Sequence, residues 1–411
     1  MKKNYFHIIF FLLTACSEDS PKFSVSRDKS LIDTGIYDSD SVNNTTEEEF
    51  KNDIDNVALP QVGTMSPLIK DELILEYTPC TDIKVSSSCW DGVKTSKYCK
   101  WDQMFTRYEN GWTGADATYS VPLPDGRVLW MFGDTFIGTV NEDRTRNQTK
   151  MINNTFVLTD ENEFVTLFGG TRANPKALVV PSETDDWYWP FDATIYNGEL
   201  QMLLAHMQRV GEGMWGFAYK QVDLAIFSLP DLTLKSLTMK IPSPEISYGS
   251  TLMEDTDYTY IYGITTVGYN KYAHVARASS GNLRTVWEFY NGSDWVLEPS
   301  NYRIHDGVSD QFSVFKKNGK YYLLTHQIIF GKEIQLFESD FPIGPWHSKK
   351  TVYCTPETGG DVFTYNSFVH PELSINDELI ISYNINSFDF WSLFDNADLY
   401  RPKFIKVENW Q

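Results

Sequence analysis

The sequence is short of basic residues. It carries 35 lysines and arginines against 55 aspartates and glutamates, a net charge of -20. A surface of that sign repels polyphosphates and anionic headgroups, which excludes nucleic acid and an anionic membrane face as partners and suits a neutral or basic ligand. No basic cluster lies near the hairpin ends described below, so phosphate handling has no support. Long apolar runs are also missing: Phe6 to Leu13 is too short to span a bilayer, which takes about 20 residues. The five cysteines match no zinc spacing, and none has the helical or histidine-flanked setting of a catalytic thiol. Sustained helical periodicity is almost absent, which points away from helical folds.

What is present starts with an address. Lys2 and Lys3 precede the apolar run, and Leu13-Thr14-Ala15-Cys16 follows it, in the order of a secretory n-region, h-region and small-residue cleavage site. The pattern resembles the lipobox of bacterial lipoproteins, which implies that residues 1–15 are removed and that Cys16 is acylated. An ordinary cleaved signal, with Cys16 a bystander, is the other reading. Ser17-Glu18-Asp19 is similar to the acidic signal by which Bacteroidota send lipoproteins to the cell surface. The expected location is therefore the outer membrane, surface-exposed, with the membrane reached only through the lipid anchor. Residues 16–75 are polar and acidic, "DSDSVNNTTEEEFKNDID" among them, and read as a disordered tether. Docked segments are allowed for near Leu73 to Tyr77. The folded domain is expected over 76–411.

Export places Cys80, Cys89, Cys99 and Cys354 where disulfides persist. Two bridges have three connectivities that spacing does not separate. One local bridge plus one to Cys354 would staple the N-terminal segment to the end of the domain.

The remainder is rich in Tyr, Phe and Trp and in short alternating apolar runs, the mark of many short strands. One hairpin shape returns five times, beginning at Gly114, Pro190, Ser247, Val308 and Thr364. The spacing suits four-stranded antiparallel blades, so the predicted fold is all-β, a five-bladed β-propeller. A β-sandwich with long loops is the alternative, but it gives no reason for the repeat.

In a propeller the hairpin ends converge on the mouth of a central channel. Aligning the repeats puts Asp116, Asp192, Gly249, Asp310 and Asn366 at the start of the first strand, and Asp134, His206, Ile264, His326 and Asn384 at the end of the second. Antiparallel pairing brings both sets to one end. Asp116 and Asp134 each lie nine residues from Asp125, the centre of the turn "LPDGR", so they should face each other. Opposed like charges destabilise a sheet, unless a proton, cation or ligand hydroxyl compensates. Two close carboxyls push one pKa upward, as acid/base chemistry requires. The competing reading makes Asp134 a cap on its own turn.

The stretches "GWTGADATYSVPLPDGRVLWMFGDTF", "YWPFDA", "YTYIYG" and "YNSFVHPELS" with "ISYN" resemble exported bacterial five-bladed propellers classed as domains of unknown function. These are similar in turn to glycoside-hydrolase propellers, including endo-D-arabinanases. The resemblance covers Trp112 to Val407. It implies two first-blade aspartates, matched here by Asp116 and Asp134, acting on a furanose-containing polysaccharide such as arabinan or an arabinogalactan. Related arabinanase and xylosidase propellers add a second Asp, which Asp192 matches, and a Glu acid, whose place here reads Tyr248-Gly249-Ser250. A glycan-binding or envelope-structural propeller without catalysis is therefore the alternative.

Around the pair, substrate contacts are expected from Trp189, Asp192, His206, Asp310, His326, Asn366, His370 and Glu372. Trp189 offers a stacking face or blade packing in equal measure. His206 and His326 could hold sugar hydroxyls, tune an acid or bind a channel metal, but a catalytic zinc takes about three protein ligands. His370 and Glu372 alternate along one strand face, or form an interstrand hydrogen-bonded pair. The loop "NSFDFWSLFDNADLYRPKF" lines the site or covers the far end of the channel. The segment Lys403 to Val407 supplies an outer strand of the last blade. No cofactor is required, a channel cation is allowed, and the partner is a polysaccharide or oligosaccharide met by a monomer.

Overall fold

Runs of β-branched and aromatic residues, broken by Gly, Asn and Asp turns, give this chain its strands. The computed structural model describes residues 59–411, apart from 76–77, 87–88, 90–91, 214–215, 243–244 and 375. The leader, Cys16 and most of the acidic segment lie outside the described residues. Five larger antiparallel sheets of four to six strands stand beside a three-stranded and a two-stranded sheet. Helix is limited to short pieces such as Cys99–Met104, which buries Trp101 and Met104. The fold is all-β.

Numbered in chain order, the larger sheets have as first strands Tyr119–Pro122 (sheet I), Trp187–Tyr196 (sheet II), Ser247–Glu254 (sheet III), Ser313–Lys317 (sheet IV) and Val362–Val369 (sheet V). Successive first strands touch. The Phe368 ring of sheet V lies 4.4 Å from that of Tyr119 in sheet I, so the row closes on itself. The arrangement is propeller-like, around a central cavity of about 430 Å³ lined by all five first strands. Apolar clusters fill the spaces between neighbouring sheets, as where Leu129, Met131 and Phe156 meet Leu200, Leu204 and Phe227. Such strands are covered on both faces and lose strict alternation: Glu199–Arg209 is buried from Leu200 through Met207.

The N-terminal segment closes the ring. Lys403–Glu408 is the third strand of sheet V, and Lys94–Lys97 pairs outside it, so the expectation that 403–407 forms an outer strand is corrected. Cys80 bonds Cys99, and Cys89 bonds Cys354, one local bridge and one long one. The domain boundary also moves. Gly63–Met65 pairs with Val179–Pro181, and Leu68–Ile74 pairs with Glu163–Thr171 of sheet I. The folded unit is Gln61–Gln411, so residues 61–75 belong to the fold and not, as expected, to the segment before it. Leu68–Ile74, LIKDELI, is an edge strand with three of its seven residues exposed.

Candidate active site

The first hairpin changes sheets midway. Its tip, Tyr119–Pro122 with Val128–Phe132, belongs to sheet I. Its base, Gly111–Ala115 with Thr135–Val140, belongs to the three-stranded sheet. The pairing keeps one centre across the break, with Tyr119 facing Met131 and Ala115 facing Thr135. Asp116 and Asp134 lie at that break. Asp116 N donates to Asp134 O at 3.3 Å, and Gly133 N donates to Asp116 O at 3.0 Å. The two acids are opposed, as their distance from the turn predicts.

The break is made by Ala117 and Thr118, with φ of 75° and 56°, a left-handed conformation that costs roughly 1–2 kcal/mol per residue. Asn384 of sheet V holds it, donating from Nδ2 to Thr118 Oγ1 at 2.9 Å and to Ala115 O at 3.3 Å. Strain of this kind persists where the surroundings over-determine it, and it clusters at functional sites. Gly133 leaves the room the carboxyl needs: a Cβ there would stand 2.5 Å from Asp116 Oδ1.

Each acid has its own set of donors. Asp116 Oδ2 accepts from the Tyr365 hydroxyl at 2.9 Å, and the Tyr400 hydroxyl reaches the same carboxyl. Asn386 Nδ2 in turn donates to Tyr365 Oη at 3.2 Å. Asp134 Oδ1 accepts from Trp189 Nε1 at 2.9 Å and from Asn153 Nδ2 at 3.0 Å, which is not the turn cap of the competing reading. Burial pushes Asp116 up to about 7; the Asp134 charge adds to the rise, and the tyrosine donors oppose it. Burial raises Asp134 as well, while the Trp189 and Asn153 N–H groups hold it down. Both carboxyls are thus raised and face each other, so they titrate as a pair. Two such groups can divide the roles of proton donor and acceptor.

The aromatic loop lines this site. It forms the short helices Ser392–Asp395 and Ala397–Tyr400, pinned by two buried arginines. Arg146 donates to the carbonyls of Leu393, Thr113 and Ala397, and Arg401 to Thr113 O and Asp398. Beneath the pair Tyr119 reaches across the ring, its hydroxyl donating to Ser250 O of sheet III at 3.1 Å.

The other expected residues have partners of their own. A two-residue bulge recurs in the first strands of sheets II, III and V, and it shifts the register on which the repeats were aligned. Asp192 sits in the sheet II bulge and turns into the channel wall, accepting from Leu252 N at 2.7 Å and Ala193 N at 2.8 Å; burial pushes it up to about 7. Asp310 is at the surface, paired with Lys271 and 64% exposed. Asn366 is buried in the sheet V bulge with φ 52°. Among the described residues none of the three hydrogen-bonds to Asp116 or Asp134, while Asp192 and Asp310 both bear on the Tyr119 hydroxyl, three residues from Asp116.

The histidines are structural. His206 is buried between Asp223 (2.9 Å) and Asp186 (3.0 Å). His326 bonds Ser367 Oγ at 2.7 Å and Gly331 O at 2.8 Å. Glu372 lies on the turn Pro371–Leu373 rather than on a strand. It meets His370 through Ser120, whose Oγ donates to Glu372 and lies 2.6 Å from His370 Nδ1. Both line the central channel. Trp189 alone of the expected binding residues touches it. Sequence reasoning missed Tyr365, Tyr400, Asn153 and Asn386. Tyr365 precedes Asn366 in a repeated hairpin and Tyr400 belongs to the aromatic loop, so both carried a signal; Asn153 carried none.

Among the described residues one cluster has ligand atoms close enough for a metal: Glu183, Asp186 and His206. Lys220 Nζ lies 3.3 Å from Glu183 and 3.0 Å from Asp186, so a cation of the chain already neutralises it.

Residues 99–410 match the family described as Domain of unknown function (DUF5005). No curated protein matches the sequence. Among solved structures, a candidate hydrolase from Bacteroides ovatus superposes with a TM-score of 0.69 at 28% identity, over 80% of this chain and 94% of that one. An exo-1,5-α-L-arabinanase from a bovine ruminal metagenomic library gives 0.42 at 10% identity, over 73% and 94%. A GH43_1 enzyme from Xanthomonas citri complexed with xylose gives 0.40 at 14% identity, over 74% and 88%.

Proposed function

The chain belongs to the DUF5005 family, and we propose that it is a glycoside hydrolase built on a five-bladed β-propeller whose blades are the five larger sheets. The observation that carries this reading is the opposed pair Asp116 and Asp134, each held by its own donors. Asp116 gives its proton to the glycosidic oxygen as the bond to the anomeric carbon breaks. Asp134 accepts the proton of the attacking water, or attacks the anomeric carbon itself. Trp189 and Asn153 aim the carboxylate, and Tyr365 and Tyr400 aim the acid.

The substrate is a furanose-containing polysaccharide of the arabinan or arabinogalactan kind, a reading that rests on the resemblance of the first hairpin. A net charge of -20 suits a neutral glycan. The likeness to the Bacteroides ovatus protein supports hydrolysis as the reaction class. One observation favours a silent glycan-binding propeller instead: in sheet III the place of a third acid is taken by Tyr248-Gly249-Ser250, with Tyr248 fully buried. Incubation with arabinan, arabinogalactan and related glycans, with products sized by chromatography, separates the two. Released oligosaccharides support the hydrolase, and retention on a glycan without products supports the binder.

The chain acts at the cell surface, anchored through acylated Cys16, with residues 1–15 as the leader and the acidic segment as tether. Cys16→Ala is expected to abolish lipid labelling and membrane association, and a variant that still takes label would overturn the assignment.

A further inference from the structure

The acid pair lies on the first hairpin, and the neighbouring sheets V and II each send an aromatic side chain to it. Tyr365 of sheet V donates to Asp116, and Trp189 of sheet II donates to Asp134. On the sheet V side the aromatic surface continues outward. The Phe363 ring lies 5.4 Å from Tyr365, and Phe388 and Phe330 lie 4.6 and 4.3 Å from Phe363. Phe388 and Phe330 also touch each other, at 5.5 Å, and leave 48% and 38% of their surfaces open.

Phe330 reaches this position by an unfavourable route. Ile329 and Phe330 both adopt positive φ, 58° and 53°, in the loop between the second and third strands of sheet IV. Bulky residues are genuine outliers in that region. The loop is tied down by His326 Nε2 against Gly331 O at 2.8 Å and by Gly331 N donating to Gln327 O at 3.2 Å. A core contact does not account for that arrangement, because Phe330 remains well exposed, and strain held in place at a surface is a mark of function.

We infer that Phe330 and Phe388, backed by the buried Phe363, form a platform that holds the polysaccharide beyond the bond being cut, and that cleavage is therefore internal to the chain. This rests on the glycosidase reading above. The occupant is fixed by continuity: the platform adjoins the tyrosine bonded to Asp116, and its tilted and edge-on rings leave aromatic surface that suits the apolar faces of neutral sugars. With Trp189 on the opposite flank, the acids sit within a run of contacts rather than at its end.

The test uses the whole chain and the variants Phe388→Ala and Phe330→Ala, with Phe388→Tyr as the conservative partner and melting temperature as the check on folding. Two rates are compared, kcat/KM on the polysaccharide and on a short aryl glycoside of the same sugar. Retardation of each protein in gels containing the polysaccharide is measured in parallel. The expected result is a ratio of polymer to short-substrate kcat/KM lowered about tenfold in each Ala variant, weaker retardation, recovery in Phe388→Tyr, and wild-type products of mixed length from the earliest times. Cleavage with an unchanged ratio, or release of a single small product, overturns this inference and leaves the glycosidase reading standing. A wild-type protein that neither cuts nor is retarded by any glycan overturns both.

Discussion

The hydroxyl of Tyr365 donates to Asp116 Oδ2 at 2.9 Å, joining the last sheet of the ring to the break in the first hairpin. That bond opposes the rise in the Asp116 pKa that burial and the Asp134 charge produce. The proposed acid therefore titrates near neutrality rather than well above it.

The pH profile follows from this. Asp116 must hold its proton to act as acid, so kcat/KM should fall as pH rises through about 7. Asp134 must be ionised, so the rate should also fall toward acid. The Trp189 N–H lowers the Asp134 pKa, and Trp189→Phe, which removes that donor, should move the acid limb to higher pH while leaving the alkaline limb in place. A parallel loss at every pH would show that the indole only packs.

Gly133→Ala should cost activity without unfolding the protein. The new Cβ would stand 2.5 Å from Asp116 Oδ1, so the carboxyl must move. Displacement of a reacting group by about 1 Å can cost on the order of 100-fold in rate. A drop in kcat with a melting temperature within a few degrees of wild type is the expected result.

Glu372 offers a test of burial in the channel. Its pKa is raised from 4.5 to about 7, chiefly by burial. Below 4.5 both folded and unfolded states are protonated. Between 4.5 and 7 only the unfolded state ionises, so folding stability falls as pH rises through that window. Glu372→Gln never ionises and should be more stable than wild type above pH 7, by up to about 3 kcal/mol, with the advantage gone by pH 4.5. Thermal melts across that range measure the difference.

Arg146→Met should loosen the aromatic loop. The guanidinium donates to the carbonyls of Leu393, Thr113 and Ala397; its loss removes that donor from Leu393 O and Ala397 O, while Thr113 O keeps Arg401, at a cost of about 3 kcal/mol. Tyr400 rides on that loop, so kcat should fall along with the melting temperature.

Much of the fold was legible because the repeat is a hairpin, and hairpins announce themselves by turn residues and alternation. Asp116 and Asp134 could be paired because their turn, "LPDGR", keeps its centre through both sheets. Asp192 and Asn366 could not be placed, because the recurring two-residue bulge changes which face a side chain takes, and a bulge leaves no fixed letter code; Asp310 lies before the strand Ser313–Lys317 rather than at its start. His206 and His326 look alike in sequence whether they meet substrate or lock a neighbour; only their buried partners decide. The strand Leu68–Ile74 was hidden for a different reason. Its seven residues, LIKDELI, adjoin the long acidic segment and are too few to set a period apart from it.

The most direct test of the central claim is turnover by wild type, Asp116→Asn and Asp134→Asn on the best glycan from the screen, with melting temperature and glycan affinity taken on the same preparations. Asn keeps the size and most of the hydrogen bonding but cannot carry the proton. The account predicts intact folds, affinities near wild type, and rates lower by about 10² to 10⁴ in each variant, as for loss of a general acid or base. Turnover unchanged in both variants would remove the pair from the chemistry and with it the proposed mechanism.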